Sequence, residues 1–376
     1  MKIVVNTRLL LRGKLDGIGW FTHELMSRMV RSHPEHEFHF IFDRPYSDEF
    51  VFASNVKAHV LPPPARHPLL FRIWYDWMIP WKLNRLKPDV FVSPDMMIST
   101  RTKTPQVVVL HDLNFEHHPE DLPAPIARYL RKMTPRFARH AKTIVTVSEF
   151  SKQDIMAQYH VPEEKVRVVY NGVQDAFQPL SDDQKGQAMD KWAGGCKYFV
   201  FVSSIHPRKN LKRLLEAYEL FRERHSERIK LVAVGRMFWK NEELTAALSA
   251  MKYAEDIVFT GHLETQELTH VIGAAHALMY VSYFEGFGVP IVEAFKCGIP
   301  VVTANVTAMP EVAGDAALQV NPFSVDDIAD AMRDVTMNEE LRSRLIERGY
   351  KRAEAFDWNR SAREFWQIIE SCAQRH

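Results

Sequence analysis

Only three cysteines, Cys196, Cys297 and Cys372, occur in the 376 residues of this chain. They lie far apart and without the close spacing of a metal knuckle, which excludes a disulfide framework and fits a reducing compartment. An excess of charge is lacking as well: 48 Lys and Arg stand against 47 Asp and Glu. Nothing global therefore argues for a nucleic-acid partner, and any basic surface must be local. No apolar run approaches the roughly 18 residues that span a bilayer. The opening MKIVVNTRLLLRGKLDG interrupts its short apolar pieces with Asn6, Arg8 and Arg12, so it reads as a first strand rather than a signal peptide, and a cytoplasmic protein is expected. Neither an Asp-x-Asp pair at a strand end nor a clustered His/Cys set is present, so no metal site is read. Internal repeats and low-complexity tracts are also absent.

What is present is a rhythm. Short apolar strands alternate with amphipathic helices: 3–6, 38–42, 56–61, 90–93, 107–110, 144–148 and 166–170, then 198–202, 230–235 and 257–261. This is the pattern of a parallel α/β sheet. A polar segment with Pro and Gly, residues 174–195, interrupts it and reads as a linker leading into a helix. The length exceeds one core and predicts two domains of roughly 150 to 200 residues each. We place them at 1–175 and 176–357, followed by a last amphipathic helix from Trp358 to Ala373.

The most informative string is EGFGVPIVEAFKCGIPVV, Glu285 to Val302. An apolar run, Ala277 to Ser282, reads as a buried strand; Gly286 and Gly288 allow a tight turn, and Pro290 suits the first turn of a helix that ends at Gly298. The unit is strand, loop, helix and strand, with its loop at the carboxyl edge of the sheet, where ligands bind. A helix N-terminus there suits an anion, while Glu285 and Glu293 can accept hydrogen bonds from hydroxyls. In FVSSIHPRKNLKRLLEAY, Phe201 to Tyr218, a strand leads to Arg208 and Lys209 and then to a helix with Asn210 as the expected cap. Two cations beside a helix N-terminus suit a diphosphate. His111 and Asp112 end the strand QVVVL, and Gly17-Ile18-Gly19-Trp20 follows the first strand, where missing side chains let backbone N–H groups approach a ligand.

These residues resemble the retaining glycosyltransferases of the GT-B type, in the group 1 or family 4 class that includes sucrose synthases and bacterial mannosyltransferases. Glu-x7-Glu, with Gly, Pro, Gly and Pro in register, is their signature, and the likeness covers nearly the whole chain, strongest from Tyr198 to Ala317. It implies two Rossmann-like parallel-sheet domains facing an interdomain cleft, the last helix crossing back to the first. It also implies sites: Glu285 and His111 as catalytic groups orienting the donor sugar, Arg208 and Lys209 on the diphosphate, and the N–H groups of Phe287 and Gly288 beside the sugar. Glu293 would hold the ribose, His262 and Leu263 the base, and Gly17 and Gly19 would close on the donor from the first domain. Many members carry a further arginine where this chain has Ser204, which leaves more of the phosphate charge to Arg208.

The implied reaction moves a hexose from a nucleoside-diphosphate sugar to a hydroxyl of a glycan or lipid-linked saccharide, with no cofactor beyond the donor and no metal. GDP-mannose is favoured, because His-Pro-Arg-Lys-Asn and Gly-Ile-Gly resemble bacterial mannosyl- and rhamnosyltransferases of surface polysaccharide. A two-Rossmann sugar-nucleotide epimerase and a noncatalytic sugar-nucleotide binding subunit are the alternatives. Two basic, aromatic segments, Leu69–Leu86 with Trp74, Trp77 and Trp81, and Ile126–His140 with Arg128, Arg131 and Lys132, fit either core-facing helices or peripheral contact with an anionic membrane.

Overall fold

The computed structural model describes residues 1–204, 206–236 and 242–374. The chain divides into two compact units, Met1–Gly172 with Asp357–His376, and Val173–Phe356. In the first, the strands are Lys2–Asn6 (β1), Glu37–Phe42 (β2), Val56–Val60 (β3), Val90–Ser93 (β4), Gln106–Val109 (β5), Thr143–Thr146 (β6) and Val166–Val168 (β7). In the second they are Tyr198–Val202 (β8), Lys230–Val234 (β9), Ile257–Gly261 (β10), Ala277–Tyr280 (β11), Val301–Ala304 (β12) and Leu318–Val320 (β13). The sheet orders are β3-β2-β1-β4-β5-β6-β7 and β10-β9-β8-β11-β12-β13. Every pairing is parallel.

Parallel strands covered by helices on both faces read as continuous apolar runs. The central strand YFVFV (β8) is buried at every position, whereas the edge strand VKAHV (β3) is buried only at its first. All the expected strands form. The edge strand β13 was not anticipated, since LQV is too short and too polar at its centre to stand out from a loop. Order reverses between β1 and β4 in one sheet and between β8 and β11 in the other. Helices leave such a point in opposite directions and open a crevice at the carboxyl ends of the two strands.

The polar segment after Gly172 is only partly a linker. Ser181 and Gln184 form a reciprocal capping box that starts the helix Asp182–Ala193, and that helix packs against β9, β10 and the helix Thr265–Gly273 of the second unit. The last helix, Trp358–Ala373, belongs to the first unit. It lies on the helix Gly17–Ser32, with Trp358 and Phe365 against Phe21, and Ser361 Oγ donates to the Tyr170 carbonyl at 2.7 Å. A side chain at Gly172 would place Cβ 2.4 Å from the Trp358 nitrogen, so the Tyr-Asn-Gly turn needs glycine to admit this helix.

Candidate functional site

Arg208 and Lys209 follow β8, and Glu285 follows β11, so the three stand on either side of the order reversal of the second sheet. The cations sit on a short 3₁₀ turn, Pro207–Lys209. Asn210 stands at the cap position of the next helix, Leu211–Arg224, but its side chain does not cap it. With φ at 61° its amide points back into the fold and donates to the carbonyls of Val281 (2.9 Å) and Pro322 (2.6 Å). The expected capping role is thus replaced by a clamp that ties the basic turn to the loops after β11 and β13.

Lys209 Nζ lies 2.5 Å from Glu285 Oε1 and 3.2 Å from the Tyr280 hydroxyl, which itself donates to Glu285 Oε1 at 2.9 Å. Arg208 Nη1 reaches Glu285 Oε2 at 3.4 Å and the Phe284 carbonyl at 3.2 Å, and the Arg208 carbonyl accepts from the Tyr283 N–H. Lys209, Tyr280 and Glu285 are buried, while Arg208 is partly exposed. Burial alone would raise the Glu285 carboxyl; the charges of Lys209 and Arg208 outweigh it and hold the group at about 2. Burial, and then the charge of the same carboxylate, push the Tyr280 hydroxyl well above its ordinary range. Glu285 is further braced by its own backbone, whose N–H donates to Thr307 Oγ1 at 3.2 Å. Sequence reading missed Tyr280 and Thr307. A tyrosine ending a strand five residues before Glu285 was a usable signal; Thr307 offered none.

Glu293 lies one turn inside the helix Val289–Cys297. Among the described residues its carboxylate has no hydrogen-bond or ion-pair partner. It is partly accessible, yet the protein around it removes enough water to raise the carboxyl to about 8. Gly288 caps this helix with φ at 102°, a backbone conformation that calls for glycine. Phe287 is buried with its ring edge-on to Phe356 at 5.3 Å. His262 and Leu263 follow β10 after Gly261, whose φ is 73°; the imidazole is exposed and Leu263 is buried.

In the first unit, Asp16 caps the helix Gly17–Ser32 by accepting from the Gly19 N–H at 3.0 Å. That N–H is therefore already engaged. A Cβ at Gly19 would meet the Leu9 carbonyl at 3.0 Å, whereas one at Gly17 would meet nothing within 4 Å. Gly19 is thus needed for packing, and Gly17 faces open space at the helix start. Trp20 is half-buried, edge-on to His23. His111 Nε2 donates to the Pro94 carbonyl at 2.8 Å and the ring stands edge-on to Phe21 at 5.0 Å. Burial lowers its pKa despite that hydrogen bond and the nearby Asp112, Asp16 and Asp95. Asp112 accepts from the Asn114 N–H at 3.0 Å and so fixes its own loop.

The arrangement in the second unit is a buried carboxylate fixed by two cations and a phenol, with a second, desolvated carboxyl one turn inside the helix that follows. Comparison with known proteins bears on the family and the fold. Residues 185–352 match the family model "Glycosyl transferases group 1", and residues 15–177 match "Glycosyltransferase Family 4". The chain is 28% identical over 372 residues to the O-antigen chain mannosyltransferase B of Escherichia coli, covering 95% of this chain and 96% of that one. It is 30% identical over 281 residues to the MMP alpha-(1->4)-mannosyltransferase of Mycolicibacterium hassiacum, covering 69% of this chain and 65% of that one. Among solved structures it superposes on Anabaena Alr3699/HepE, determined in complex with UDP and glucose, with a TM-score of 0.78 at 16% identity over 99% of this chain and 100% of that one. Two parallel Rossmann-like sheets, the Glu-x7-Glu helix and these matches together place the chain in the group 1 (family 4) glycosyltransferases of GT-B fold, as a hexosyltransferase.

Proposed function

We propose that this glycosyltransferase transfers mannose from GDP-mannose, with retention, to a hydroxyl of a glycan or lipid-linked saccharide of a surface polysaccharide. The observation that carries the reading is the Lys209–Glu285–Arg208 cluster at the order reversal of the second sheet. The relatives named as mannosyltransferases support the choice of sugar. An epimerase or a binding subunit is set aside by membership of the family.

In this reading the diphosphate lies against Arg208 and Lys209, whose fixed charges stabilise it as it leaves, when negative charge grows on the bridging oxygen. Glu285 orients the sugar through its hydroxyls. A carboxylate held at about 2 is a poor base at neutral pH, and one oxygen is already bound to Lys209 and Tyr280, so a role as nucleophile or proton acceptor is disfavoured. The acceptor's proton then passes to an oxygen of the leaving phosphate. Glu293 receives the ribose hydroxyls, and His111 is read, by resemblance to the family, as a group that orients the donor sugar. The side-chain charges carry out the work that a divalent cation does in other transferases.

The acceptor reading includes contact with an anionic membrane. Of the two basic segments, the first fits it better. Trp74 is core, its indole N–H donating to the Leu61 carbonyl at 2.7 Å, but Leu69, Trp77 and Trp81 are 60%, 63% and 49% exposed. Arg72 and Arg85 are exposed beside them, and Arg101 and Arg85 stack on Trp77 and Trp81. Exposed indoles among cations are suited to a lipid interface. On the helix Ala124–His140, Ile126 and Met133 pack against the core and Arg131 pairs with Glu116 at 3.1 Å, which leaves charge without an apolar anchor. Among the described residues no helix is long and apolar enough to cross a membrane.

A thermal-shift series with GDP-, UDP-, ADP- and TDP-sugars tests the donor: one at a hundredfold excess over its dissociation constant stabilises by about 2.7 kcal/mol. The anomeric configuration of the product, read by NMR, tests retention. Selective response to a UDP-sugar would overturn the GDP reading, and an inverted anomer the mechanism.

A further inference from the structure

The first sheet carries a buried ionic cluster that the reaction as read leaves unused. Arg8 lies two residues beyond β1 and Asp95 two beyond β4, and Arg8 Nε donates to Asp95 Oδ2 across the point where strand order reverses. The Tyr75 hydroxyl lies 2.9 and 2.8 Å from the two Asp95 oxygens, and Ser93 Oγ lies 3.0 Å from Oδ1. Asn6 Nδ2 donates to the Tyr75 hydroxyl (2.9 Å) and to Ser93 Oγ (3.0 Å), and Arg8 Nη1 donates to the Ala65 carbonyl at 2.9 Å. All five side chains are buried. A cation, a carboxylate and a tyrosine thus meet at the order reversal of each sheet: Arg8, Asp95 and Tyr75 in the first, Lys209, Glu285 and Tyr280 in the second.

Stability does not account for such a pair, because apolar residues of similar volume commonly replace a buried ion pair at no cost. Its visible effect is on the loop after β4. Met96 holds φ at 73°, in the left-handed region that a non-glycine side chain occupies only when its surroundings enforce it. Ser93 Oγ donates to the Met97 carbonyl on one side, and Asp95 accepts from Arg8 and Tyr75 on the other. Between them stands Pro94, whose carbonyl accepts from His111 Nε2 at 2.8 Å. An imidazole that donates from Nε2 is left, when neutral, with Nδ1 as an acceptor.

We propose that Arg8, Asp95 and Tyr75 are positioning residues for His111: they hold the Pro94 carbonyl where it fixes the imidazole as the Nε2–H tautomer, with Nδ1 presented to substrate. The proposal rests on the reading of His111 given above, and its test separates the two.

The experiment is nitrogen-detected NMR of the full chain with labelled histidine, His111 being assigned by the signal lost in His111→Gln, together with kcat and donor KM. In the native protein His111 shows the Nε2–H pattern. Tyr75→Phe, which removes one hydroxyl and keeps the volume, shifts His111 toward a tautomer mixture and lowers kcat by about tenfold or more, with donor KM within about twofold. Tyr218→Phe is the control: it removes a buried hydroxyl bound to the Ile229 carbonyl in the second unit and leaves His111 unmoved. Asp95→Asn strands the buried Arg8 charge, so the paired Arg8→Met/Asp95→Leu variant, free of that penalty, is measured too and behaves like Tyr75→Phe. Unchanged His111 nitrogen shifts and kcat in Tyr75→Phe and the paired variant would overturn the proposal and leave the cluster a structural one. Full kcat in His111→Gln would instead overturn the role of His111, and the NMR arm would still decide whether the cluster fixes its ring.

Discussion

Lys209 Nζ and Glu285 Oε1 lie 2.5 Å apart although 76 positions separate the residues in sequence. The contact joins the two loops at the order reversal of the second sheet, and it couples the charge expected on phosphate to the carboxylate expected on sugar. Removing either partner leaves the other charge buried, and this shapes what each substitution does.

Lys209→Ala and Arg208→Ala should each weaken binding of a nucleoside diphosphate by about 1.5 to 3 kcal/mol, the worth of a charge-assisted hydrogen bond, or roughly tenfold to a hundredfold in dissociation constant. Lys209→Ala should also destabilise the fold, because Glu285 loses its main counter-charge, and Lys209→Ala/Glu285→Gln should recover part of that loss. Calorimetric titration with GDP and thermal melts measure the two effects. Unaltered affinity in both single variants would remove these residues from the phosphate site.

Tyr280→Phe should lower kcat while leaving GDP affinity nearly unchanged. The ring keeps its place, but Glu285 Oε1 loses the bond at 2.9 Å that fixes its orientation. Steady-state kinetics beside GDP titration would show the split, and a loss confined to GDP binding would contradict it.

The two glutamates predict opposite pH behaviour. Glu285 at about 2 lies below its unfolded value, so its stabilisation is present above the ordinary carboxylate range and is lost as pH falls toward 2. Glu293 at about 8 lies above it, so the native state loses stability as pH rises from the carboxylate range through 8. Glu293→Gln should abolish that alkaline loss and raise the dissociation constant for GDP, since a carboxylate accepts from both ribose hydroxyls and an amide offers one acceptor. GDP binding at pH 7 should release a proton in the native protein and none from this site in the variant, as read by calorimetry in buffers of different ionisation enthalpy. Equal proton release in both would take Glu293 out of the ribose contact.

Activity should persist after exhaustive chelation, with Arg208 and Lys209 carrying the phosphate charge. Loss in EDTA restored by Mg²⁺ or Mn²⁺ would point to a ligand set that the sequence did not reveal.

Trp77→Ser/Trp81→Ser should abolish sedimentation with anionic liposomes without lowering the melting temperature, since both indoles are exposed. High salt should release the native protein, surface charge being screened over about 10 Å at 0.1 M. Reversing Arg128, Arg131 and Lys132 to Glu should weaken binding less. Recovery of the native protein in the supernatant with every liposome would assign the acceptor to solution.

Short apolar strands at regular spacing were enough to read two parallel sheets, because a strand buried on both faces must be apolar throughout, and β8 and β11 are. The Glu285 loop was legible for a different reason: the turn into the helix needs glycine at 288 and a helix stop at 298, and those needs leave marks in sequence. Partners distant in the chain leave no such marks. The clamp of Asn210 on Val281 and Pro322, the sharing of Glu285 by Lys209 and Tyr280, and the Arg8–Asp95–Tyr75 cluster exist only because strands far apart in sequence become neighbours where sheet order reverses. The opposite displacements of Glu285 and Glu293, eight residues apart in one motif, were likewise decided by tertiary structure, since one carboxyl is buried against two cations and the other is desolvated with none.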